Sequence, residues 1–296
     1  MARSRRRVCI IVNPISGRGQ AHRRVRRVEE RLLDAGCEVE CLTTDEAGHA
    51  EALARSAVSH GTDTVLVCGG DGTVNEAVQG LVGTSTALAV MPLGTANVLG
   101  HELGLSRAPR RVTALVLHGR RRKLDLGRCA GRYFICMASV GFDAFVTRQM
   151  ADVRTGAINY LSYVAPVWRA FWSYAFEPLH VRVDGAALDV PVYHLVIGNT
   201  RSYGGPFTMT PWARPDDGRL DAVVFGGAGR SWLGLYMSAT TVQAHHRFAN
   251  VRYLRGRRFE VEASREVAVQ LDGDFRTHTP AAFECVDDAI TVLVNR

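Results

Sequence analysis

Short apolar runs alternate with segments of helical periodicity along the N-terminal part of the chain. Residues 8–12, 38–42, 65–68 and 87–91 are brief, apolar or alternating, and bounded by turn-forming residues, which is typical of strands. Between them, apolar residues recur every three or four positions, which predicts helices. Strands that alternate with helices predict a parallel sheet with helices on both faces. This part of the chain is therefore predicted to be an α/β domain.

Polar or glycine-containing loops follow the ends of these four predicted strands and carry Asn13, Thr44, Asp71 and Thr95. In open α/β sheets, ligands bind outside the carboxyl ends of the strands. We therefore expect the four loops to share one edge of the sheet and to form a ligand site there.

The pattern changes beyond about Lys123 to a region rich in short strands, with helices at about 159–173 and 231–245. Tight turns such as Asp184-Gly185 indicate mostly antiparallel pairing. The predicted strands of this region are 132–137, 179–183, 191–197, 220–225, 258–262, 267–271, 282–285 and 290–294. The pattern predicts a β-sandwich or a flattened barrel, and a length of 296 residues favours two domains.

The stretch Gly69-Gly70-Asp71-Gly72 joins a predicted strand to a predicted helix. Backbone N–H groups at a helix N-terminus bind anions, and glycines let a phosphate approach the main chain closely. A carboxylate at this place repels phosphate unless a cation lies between them, so the stretch predicts a nucleotide site with a divalent metal. The structural alternative is a tight turn with a helix-capping residue. A P-loop is excluded because Lys123 is the single lysine of the chain.

The net charge of +7 comes almost wholly from arginine, which fits an anionic partner such as a nucleotide or an anionic lipid surface. Arg23, Arg24, Arg26, Arg27 and Arg31 crowd one predicted helix, where a solvated helix face is the alternative interpretation. No aromatic-interleaved basic stripe or known module favours nucleic acid, so a nucleic-acid partner is not expected.

Seven cysteines without a C-x-x-C pair indicate buried thiols in a reducing compartment. The apolar run 8–12 is too short for a signal peptide, and no run of 18 apolar residues is present. A cytoplasmic protein is therefore expected.

Four motifs occur in order along the chain: Asn13-Pro-x-Ser-Gly17, Gly69-Gly-Asp-Gly-Thr73-x-Asn75-Glu76, Pro92-Leu-Gly-Thr-x-Asn97 and Leu271-Asp-Gly273. With them the chain resembles the diacylglycerol kinase catalytic-domain family, the soluble bacterial lipid kinases that are similar to sphingosine kinases. The resemblance implies an α/β domain like that of NAD kinase and phosphofructokinase, followed by a C-terminal β-sandwich domain. On this basis, residues 1–124 are assigned to nucleotide binding and residues 125–296 to a β-sandwich-like lipid or substrate domain.

The resemblance also implies the residues that contact ATP and Mg²⁺. The ATP site would comprise Asn13, Thr44, Gly69, Gly70, Asp71, Gly72, Thr73, Val74, Asn75 and Thr95. A structural Mg²⁺ would be bound by the Asp217 carboxylate and the main-chain carbonyls of Arg214 and Arg219, since hard cations prefer oxygen ligands. Asp125 matches a carboxylate linked through water to the catalytic metal. A simple turn before a strand is the alternative for Asp217.

Asp71 and Asp274 are the expected catalytic residues: the charge argument predicts that Asp71 reaches Mg²⁺, and the resemblance implies that Asp274 is the proton acceptor. The family usually has Glu at the position of Asp274, and Asp is shorter by one C–C bond, about 1.5 Å. Misplacement by about 1 Å lowers a rate by on the order of a hundredfold. Either the loop compensates for the shorter side chain, or a water bridges the gap, or the protein is a slower kinase than its relatives. Asp272 is the reserve candidate, and Arg18 is the predicted fixed cation beside the phosphates.

The function expected from the resemblance is transfer of the γ-phosphate of ATP to a hydroxyl of diacylglycerol or a related lipid, such as sphingosine or phosphatidylglycerol. A kinase of a soluble acceptor, as in NAD kinase, and a non-catalytic nucleotide- or lipid-binding protein are the alternatives. The lipid would be reached at an anionic membrane surface, with the protein peripheral at the inner membrane face, and a homodimer is possible. The aromatic segment 160–174 either packs in the core or exposes an apolar face to the membrane.

Overall fold

The computed structural model describes residues 5–17, 21–151, 164–204 and 207–296, with positions 21, 151 and 164 described by their backbone alone. The chain divides into two compact units, Met1–Leu124 with Asp288–Arg296, and Asp125–Asp287. The predicted domains 1–124 and 125–296 differ from these units at the C-terminal end, because residues 288–296 group with the first unit. Arg18 and the beginning of the aromatic segment, residues 160–163, lie outside the described residues.

The first unit is an α/β fold in which strands and helices alternate. Its elements are β1 (Arg7–Val12), α1 (Ala21–Asp34), β2 (Glu38–Thr43), α2 (His49–Ser59), β3 (Thr64–Gly69), α3 (Asp71–Leu81), β4 (Ala87–Pro92), α4 (Val98–Glu102) and α5 (Pro109–His118). The strand order is β2-β1-β3-β4, and every neighbouring pair is parallel. Every residue of β3 is buried, as expected for a strand covered on both faces. The predicted parallel α/β sheet is confirmed.

Helix α1 shows how the apolar pattern positions an element against this sheet. Val25, Val28 and Leu32 recur at helical spacing and are buried in one core cluster with residues of β1 and β3. Arg23 and Arg26 lie on the exposed side, as do Arg27 and Arg31. The arginine-rich stretch therefore forms the solvent face of an amphipathic helix.

The second unit is rich in antiparallel strands. Strand β5 (Arg120–Cys129) begins in the first unit, and the elements that follow are β6 (Arg132–Phe134), β7 (Met137–Val140), α6 (Phe142–Ala151), α7 (Val164–Ser173), β8 (Leu179–Val183), β9 (Ala186–Ala187), β10 (His194–Gly198), β11 (Leu220–Phe225), α8 (Arg230–Thr241), β12 (Val251–Gly256), β13 (Arg258–Ala263), β14 (Ala268–Leu271), β15 (Asp274–His278) and β16 (Ala281–Val294).

Two sheets of this unit enclose a single apolar core. One sheet has the order β12-β11-β10-β7-β14-β15, and in the other β13 lies between β8 and β16. Ile197 and Val224 from the first sheet share a buried cluster with Val181, Phe259 and Phe283 from the second. Two sheets with a shared apolar core form a sandwich, so the predicted β-sandwich is confirmed.

Several predicted elements have different limits in the structure. Residues 282–285 and 290–294 form the single strand β16, so their prediction as two strands was wrong. The predicted strand 132–137 is interrupted between β6 and β7, because the N–H groups of Ile135 and Cys136 turn towards the Asp272 carboxylate. Helices α5 and α6 and strands β12 and β15 were not predicted.

The end of β16 returns to the first unit. Thr291 and Val292 pair with Ala87 and Leu88 of β4 in parallel, and Leu293 is buried in the core of the α/β unit. The last strand of the chain therefore extends the sheet of the α/β unit beyond β4. Among the described residues, no helix combines the length and apolar character that crossing a bilayer requires.

Candidate active site

The four predicted loops of the first unit lie at one edge of its sheet. Asn13 follows β1, Thr44 follows β2, Asp71 begins α3 one residue after β3, and Thr95 lies beyond the end of β4. Since these strands are mutually parallel, their carboxyl ends point to the same edge. The Thr44 N–H donates to the Val12 carbonyl over 2.9 Å, whereas Thr95 is exposed. The shared edge is thus present, and contact of these residues with ATP stays a prediction.

Glycines bring two of these loops into backbone contact. A Cβ atom on Gly94 would lie 2.5 Å from the Gly70 Cα, and one on Gly69 would lie 2.8 Å from the Thr73 Cβ. The N–H of Leu93 donates to the Gly69 carbonyl over 2.9 Å. These positions need glycine because of packing within the protein.

Gly72 differs from those glycines. Apart from its chain neighbours and the backbone of its own helix, no atom of the described residues lies within 4 Å of the place where its Cβ would be, and the residue is exposed in the first turn of α3. The first N–H groups of a helix lack intrahelical partners. An exposed glycine at a helix N-terminus leaves these donors accessible to an anion.

Asn13 and Thr73 link the first loop to helix α3. The Asn13 Nδ2 donates to the Thr73 Oγ1 over 2.9 Å, and the Asn13 Oδ1 accepts the Ile15 N–H over 3.1 Å. Further along α3, Val74 is buried and its N–H donates to the Gly70 carbonyl over 3.1 Å, while the Gln79 amide donates to the Asn75 Oδ1 over 3.2 Å. Asn13 therefore joins two of the predicted phosphate-binding segments.

The Asp71 carboxylate caps a helix other than its own. Its Oδ1 accepts the N–H of Val98, the first residue of α4, over 2.7 Å. Burial raises the pKa of Asp71, while N–H donors at Val98 and Asn97 oppose that shift. Asp71 is therefore a helix-capping residue, as the structural alternative predicts, but the helix that it caps is α4. The same hydrogen bond fixes the orientation of its carboxylate.

A short ring of hydrogen bonds shapes the loop after β4. Asn97 has a φ of 49°, in the left-handed region, which Asn tolerates better than most residues. Its Oδ1 accepts the Gly94 N–H and its Nδ2 donates to the Gly94 carbonyl, both over 2.7 Å. The side chain closes the loop and explains why the motif needs Asn at this position.

In the second unit, the turn between β14 and β15 separates the roles of two aspartates. The Oδ1 of Asp272 accepts the N–H groups of Cys136 and Met137 over 2.9 and 2.8 Å, and its Oδ2 accepts that of Ile135 over 2.7 Å. Asp274, the first residue of β15, is exposed. The Asp272 carboxylate anchors the turn, and Asp274 is the one presented to solvent.

A series of hydrogen-bonded polar side chains supports the same turn. The Gly273 N–H donates to the Gln270 Oε1 over 2.7 Å, and the Gln270 Nε2 donates to the Asp143 Oδ2 over 3.1 Å. The Ser139 hydroxyl donates to the same Asp143 oxygen over 2.7 Å. The turn before Asp274 is therefore fixed by side chains on three elements.

Asp125 lies against the loop predicted to bind the structural cation. Its N–H donates to the Pro215 carbonyl and its Oδ2 accepts the Gly218 N–H, both over 2.7 Å. Asp125 is 3% exposed. The structure thus brings Asp125 together with residues 214–219, within the second unit.

Asp217 has one oxygen paired and one without a partner. The Arg255 guanidinium donates to its Oδ2. Within the part of the chain that the structure describes, its Oδ1 is buried and has no hydrogen-bond partner. A buried carboxylate oxygen without a hydrogen-bond partner fits a hard cation such as Mg²⁺. The side chains of Arg214 and Arg219 are exposed, so these residues could contribute only carbonyls.

Cys285 and Asp287 approach the same loop and were missed by sequence reasoning. Ligand atoms of Asp125, Cys285 and Asp287 lie within 4.8 Å of one another. Burial and the neighbouring carboxylates raise the pKa of Cys285 to about 12, so the thiol is protonated at neutral pH in the metal-free protein. The Asp287 Oδ2 accepts a hydrogen bond from Arg257 over 2.6 Å. The group favours oxygen coordination, which suits Mg²⁺ better than a soft metal.

A parallel α/β unit with a glycine-rich strand-to-helix turn and an antiparallel sandwich define the class of two-unit kinases that the motifs predict. Residues 7–129 match the diacylglycerol kinase catalytic domain, and residues 136–294 match the YegS C-terminal NAD kinase beta sandwich-like domain. The chain belongs to the diacylglycerol kinase family and is a lipid kinase of that family. The resemblance drawn from the four motifs is confirmed.

Individual relatives support this assignment over nearly the whole chain. A diacylglycerol kinase of Mycobacterium tuberculosis is 32% identical over 97% of this chain and 94% of its own length. One from Staphylococcus carnosus is 26% identical over 94% of this chain and 92% of its own. The crystal structure of a diacylglycerol kinase from Bacillus anthracis has a TM-score of 0.76 at 22% identity, covering 99% of this chain and 98% of that one. At that identity the structural likeness supports the fold.

Proposed function

We propose that this protein transfers the γ-phosphate of ATP to a primary hydroxyl of diacylglycerol or a closely related lipid. The observation that carries the proposal is the exposed Gly72 at the N-terminus of α3, in a loop whose other glycines are required by packing. A glycine that no contact with the described residues requires, at an anion-binding helix end, supports a phosphate ligand. Membership in the diacylglycerol kinase family supports the acceptor class.

The first unit would bind the nucleotide. Main-chain N–H groups of residues 70–73 would hold the phosphates, with Asn13 fixing the loop through Thr73, while Thr44 and Thr95 would contact the rest of ATP from the same sheet edge. Mg²⁺, when bound near Asp71, would offset the phosphate charge. The Asp71 carboxylate is suited to hold that cation, because the Val98 N–H fixes its orientation.

The second unit would supply the proton acceptor. The lipid hydroxyl oxygen forms the new bond to the γ-phosphorus, the bond from that phosphorus to the bridging oxygen of ADP breaks, and the hydroxyl proton passes to the Asp274 carboxylate. Because such transition states are loose, positioning and charge neutralisation carry most of the catalysis. The turn anchored by Asp272 and Gln270 would supply that positioning for Asp274.

The loop 214–219 would hold a structural Mg²⁺. Its ligands would be the Oδ1 of Asp217 and the carbonyls of Arg214 and Arg219. The buried, unpartnered Oδ1 supports this role. Asp125 would act on the loop through its hydrogen bonds to Pro215 and Gly218.

The test is ATP turnover with Mg²⁺ in mixed micelles containing diacylglycerol, sphingosine or phosphatidylglycerol, with NAD as the soluble acceptor for comparison. We expect lipid-dependent turnover that is lost in Asp71→Asn. This variant is a sharp probe, because the Asn oxygen can still accept the Val98 N–H while the charge is removed. Turnover with NAD alone would assign a soluble acceptor, and ATP binding without turnover on any acceptor would assign a non-catalytic protein.

A further inference from the structure

Two tryptophans stand on the surface of helix α7 in the second unit. Trp168 is 62% exposed and Trp172 is 55% exposed, and their rings are in edge contact with centroids 5.7 Å apart. They are one helical turn apart, so both lie on the same side of α7. Large aromatic side chains exposed together on a folded surface mark an interaction site more often than scattered apolar residues do.

Helix α8 extends this surface. The Arg230 Nη2 donates to the Trp172 carbonyl over 2.6 Å, and its guanidinium lies 5.7 Å from the Trp172 ring centroid. Met237, 41% exposed, lies one turn beyond Leu233, which packs in the cluster shared with α7. We call the exposed set Trp168, Arg169, Trp172, Arg230 and Met237 the tryptophan face.

The two helices that carry the tryptophan face pack against helix α6 through a buried apolar cluster. Ala170 and Leu233, one from each helix, are buried in a cluster with Phe142 and Val146 of α6. Arg230 also donates to the carbonyl of Phe171 over 3.3 Å, which satisfies the end of α7. The aromatic side chains are therefore presented by fixed helices, so their exposure is a property of the fold.

The charges of this region favour an anionic partner. Arg169 and Arg230 are exposed on the face, and neither helix contains Asp or Glu. The sequence has no acidic residue at all between Asp221 and Glu260. A second copy of this chain would bring the same arginines against each other in a two-fold contact, with no carboxylate from either helix to pair with them.

Tryptophan at the headgroup level and arginine beside anionic phosphates are the side chains that bind a bilayer surface. We propose that the tryptophan face docks this protein onto an anionic lipid bilayer. The biological purpose of this docking rests on the proposed function, since docking would bring a lipid kinase to its acceptor. The docking itself is a property of α7 and α8 and involves none of the proposed catalytic residues.

The test uses the full chain and flotation with vesicles of phosphatidylglycerol or of phosphatidylcholine. The altered protein carries Trp168→Ala and Trp172→Ala together, and Arg169→Glu is a second variant that keeps both tryptophans. The matched control is Trp212→Ala, because Trp212 is 56% exposed in the same unit but packs against Tyr253 with ring centroids 4.6 Å apart. Far-ultraviolet circular dichroism establishes that each variant is folded.

We expect the unaltered protein and Trp212→Ala to float with phosphatidylglycerol vesicles and to remain behind with phosphatidylcholine. Binding should weaken by about tenfold or more in the double tryptophan variant and in Arg169→Glu, and it should fall as salt is added. Equal flotation of all the proteins would overturn the proposal. So would a dimer in sedimentation that the double variant dissociates while vesicle binding is unchanged, because a second copy would then occupy the face.

Turnover separates this inference from the proposed function. The double tryptophan variant should phosphorylate a short-chain diacylglycerol dispersed as monomers as fast as the unaltered protein does, and lose rate only on vesicles. If neither the unaltered protein nor any variant phosphorylates a lipid, while flotation gives the expected result, the proposed function is wrong and the docking proposal is supported. If turnover holds and flotation is unaffected by the substitutions, the docking surface fails alone.

Discussion

The anchoring role of Asp272 can be separated from catalysis by the substitution Asp272→Asn. Asp272 has a φ of 48°, which Asn tolerates as well as Asp does, so the backbone of the turn is preserved. The amide has one acceptor oxygen where the carboxylate has two. With that oxygen facing Cys136 and Met137, the new NH₂ group points at the N–H of Ile135, which is 2% exposed.

The expected loss of stability follows from these three hydrogen bonds. A hydrogen bond to a charged group contributes about 1.5–3 kcal/mol, and leaving a buried donor unpaired costs about 1–3 kcal/mol. The two bonds that remain lose their charge assistance and weaken by roughly half. Since these effects overlap, we expect Asp272→Asn to lower the free energy of unfolding by about 2–4 kcal/mol.

Urea denaturation followed by circular dichroism measures this loss, with Asp274→Asn as the matched control. Asp274 is exposed and Asn has the same shape, so its substitution should change the unfolding free energy by less than about 1 kcal/mol. Its effect on turnover should be the reverse, with loss of most activity if it is the proton acceptor. A stable Asp272→Asn protein without turnover, beside an active Asp274→Asn protein, would refute the reasoning and make Asp272 the base.

Three further substitutions test the remaining sites. Gly94→Ala should raise the KM for ATP and destabilise the protein by about 1–3 kcal/mol, because its Cβ meets the Gly70 Cα at 2.5 Å; ATP titration and denaturation check this, and an unchanged KM would contradict it. Gly72→Ala should stabilise the protein by about 0.5–1 kcal/mol as a helix substitution yet weaken ATP binding, so unimpaired calorimetric affinity would count against a phosphate at this position. Arg255→Gln removes the guanidinium that is paired with Asp217 and leaves the Asp217 carboxylate to Mg²⁺. Mg²⁺ should therefore raise the melting temperature of this variant more than that of the unaltered protein. An equal rise would argue against a Mg²⁺ ion at Asp217.

The sheet edge of the first unit could be predicted because its signals are local. The apolar run 65–68 is buried on both faces, and the glycines that follow it lie in the sequence beside the strand that they terminate. Once the strands are known to be parallel, the position of Asp71 and Thr95 on one edge follows from topology alone. Helix α5 was missed although Val112, Leu115 and Val116 carry its periodicity, because the neighbouring Arg110 and Arg111 make the segment look polar.

The anchors of the second unit could not be predicted because they join distant positions. Asp272 accepts N–H groups from residues more than 130 positions earlier in the chain, and no local pattern indicates such a pairing. The split prediction of β16 has a similar cause. Asp287 and Asp288 interrupt the apolar alternation, while the backbone of the strand continues through them.

The return of the last residues to the first unit has a consequence for synthesis and for engineering. Leu293 completes a core whose other members are made among the first 116 or so residues, and until it emerges from the ribosome the flank of β4 offers unpaired backbone groups to other chains. The α/β unit therefore cannot reach its final form before residues 291–293 have been synthesised. Deletion of residues 291–293 should consequently damage the α/β unit first, although most of that unit precedes the sandwich in the chain.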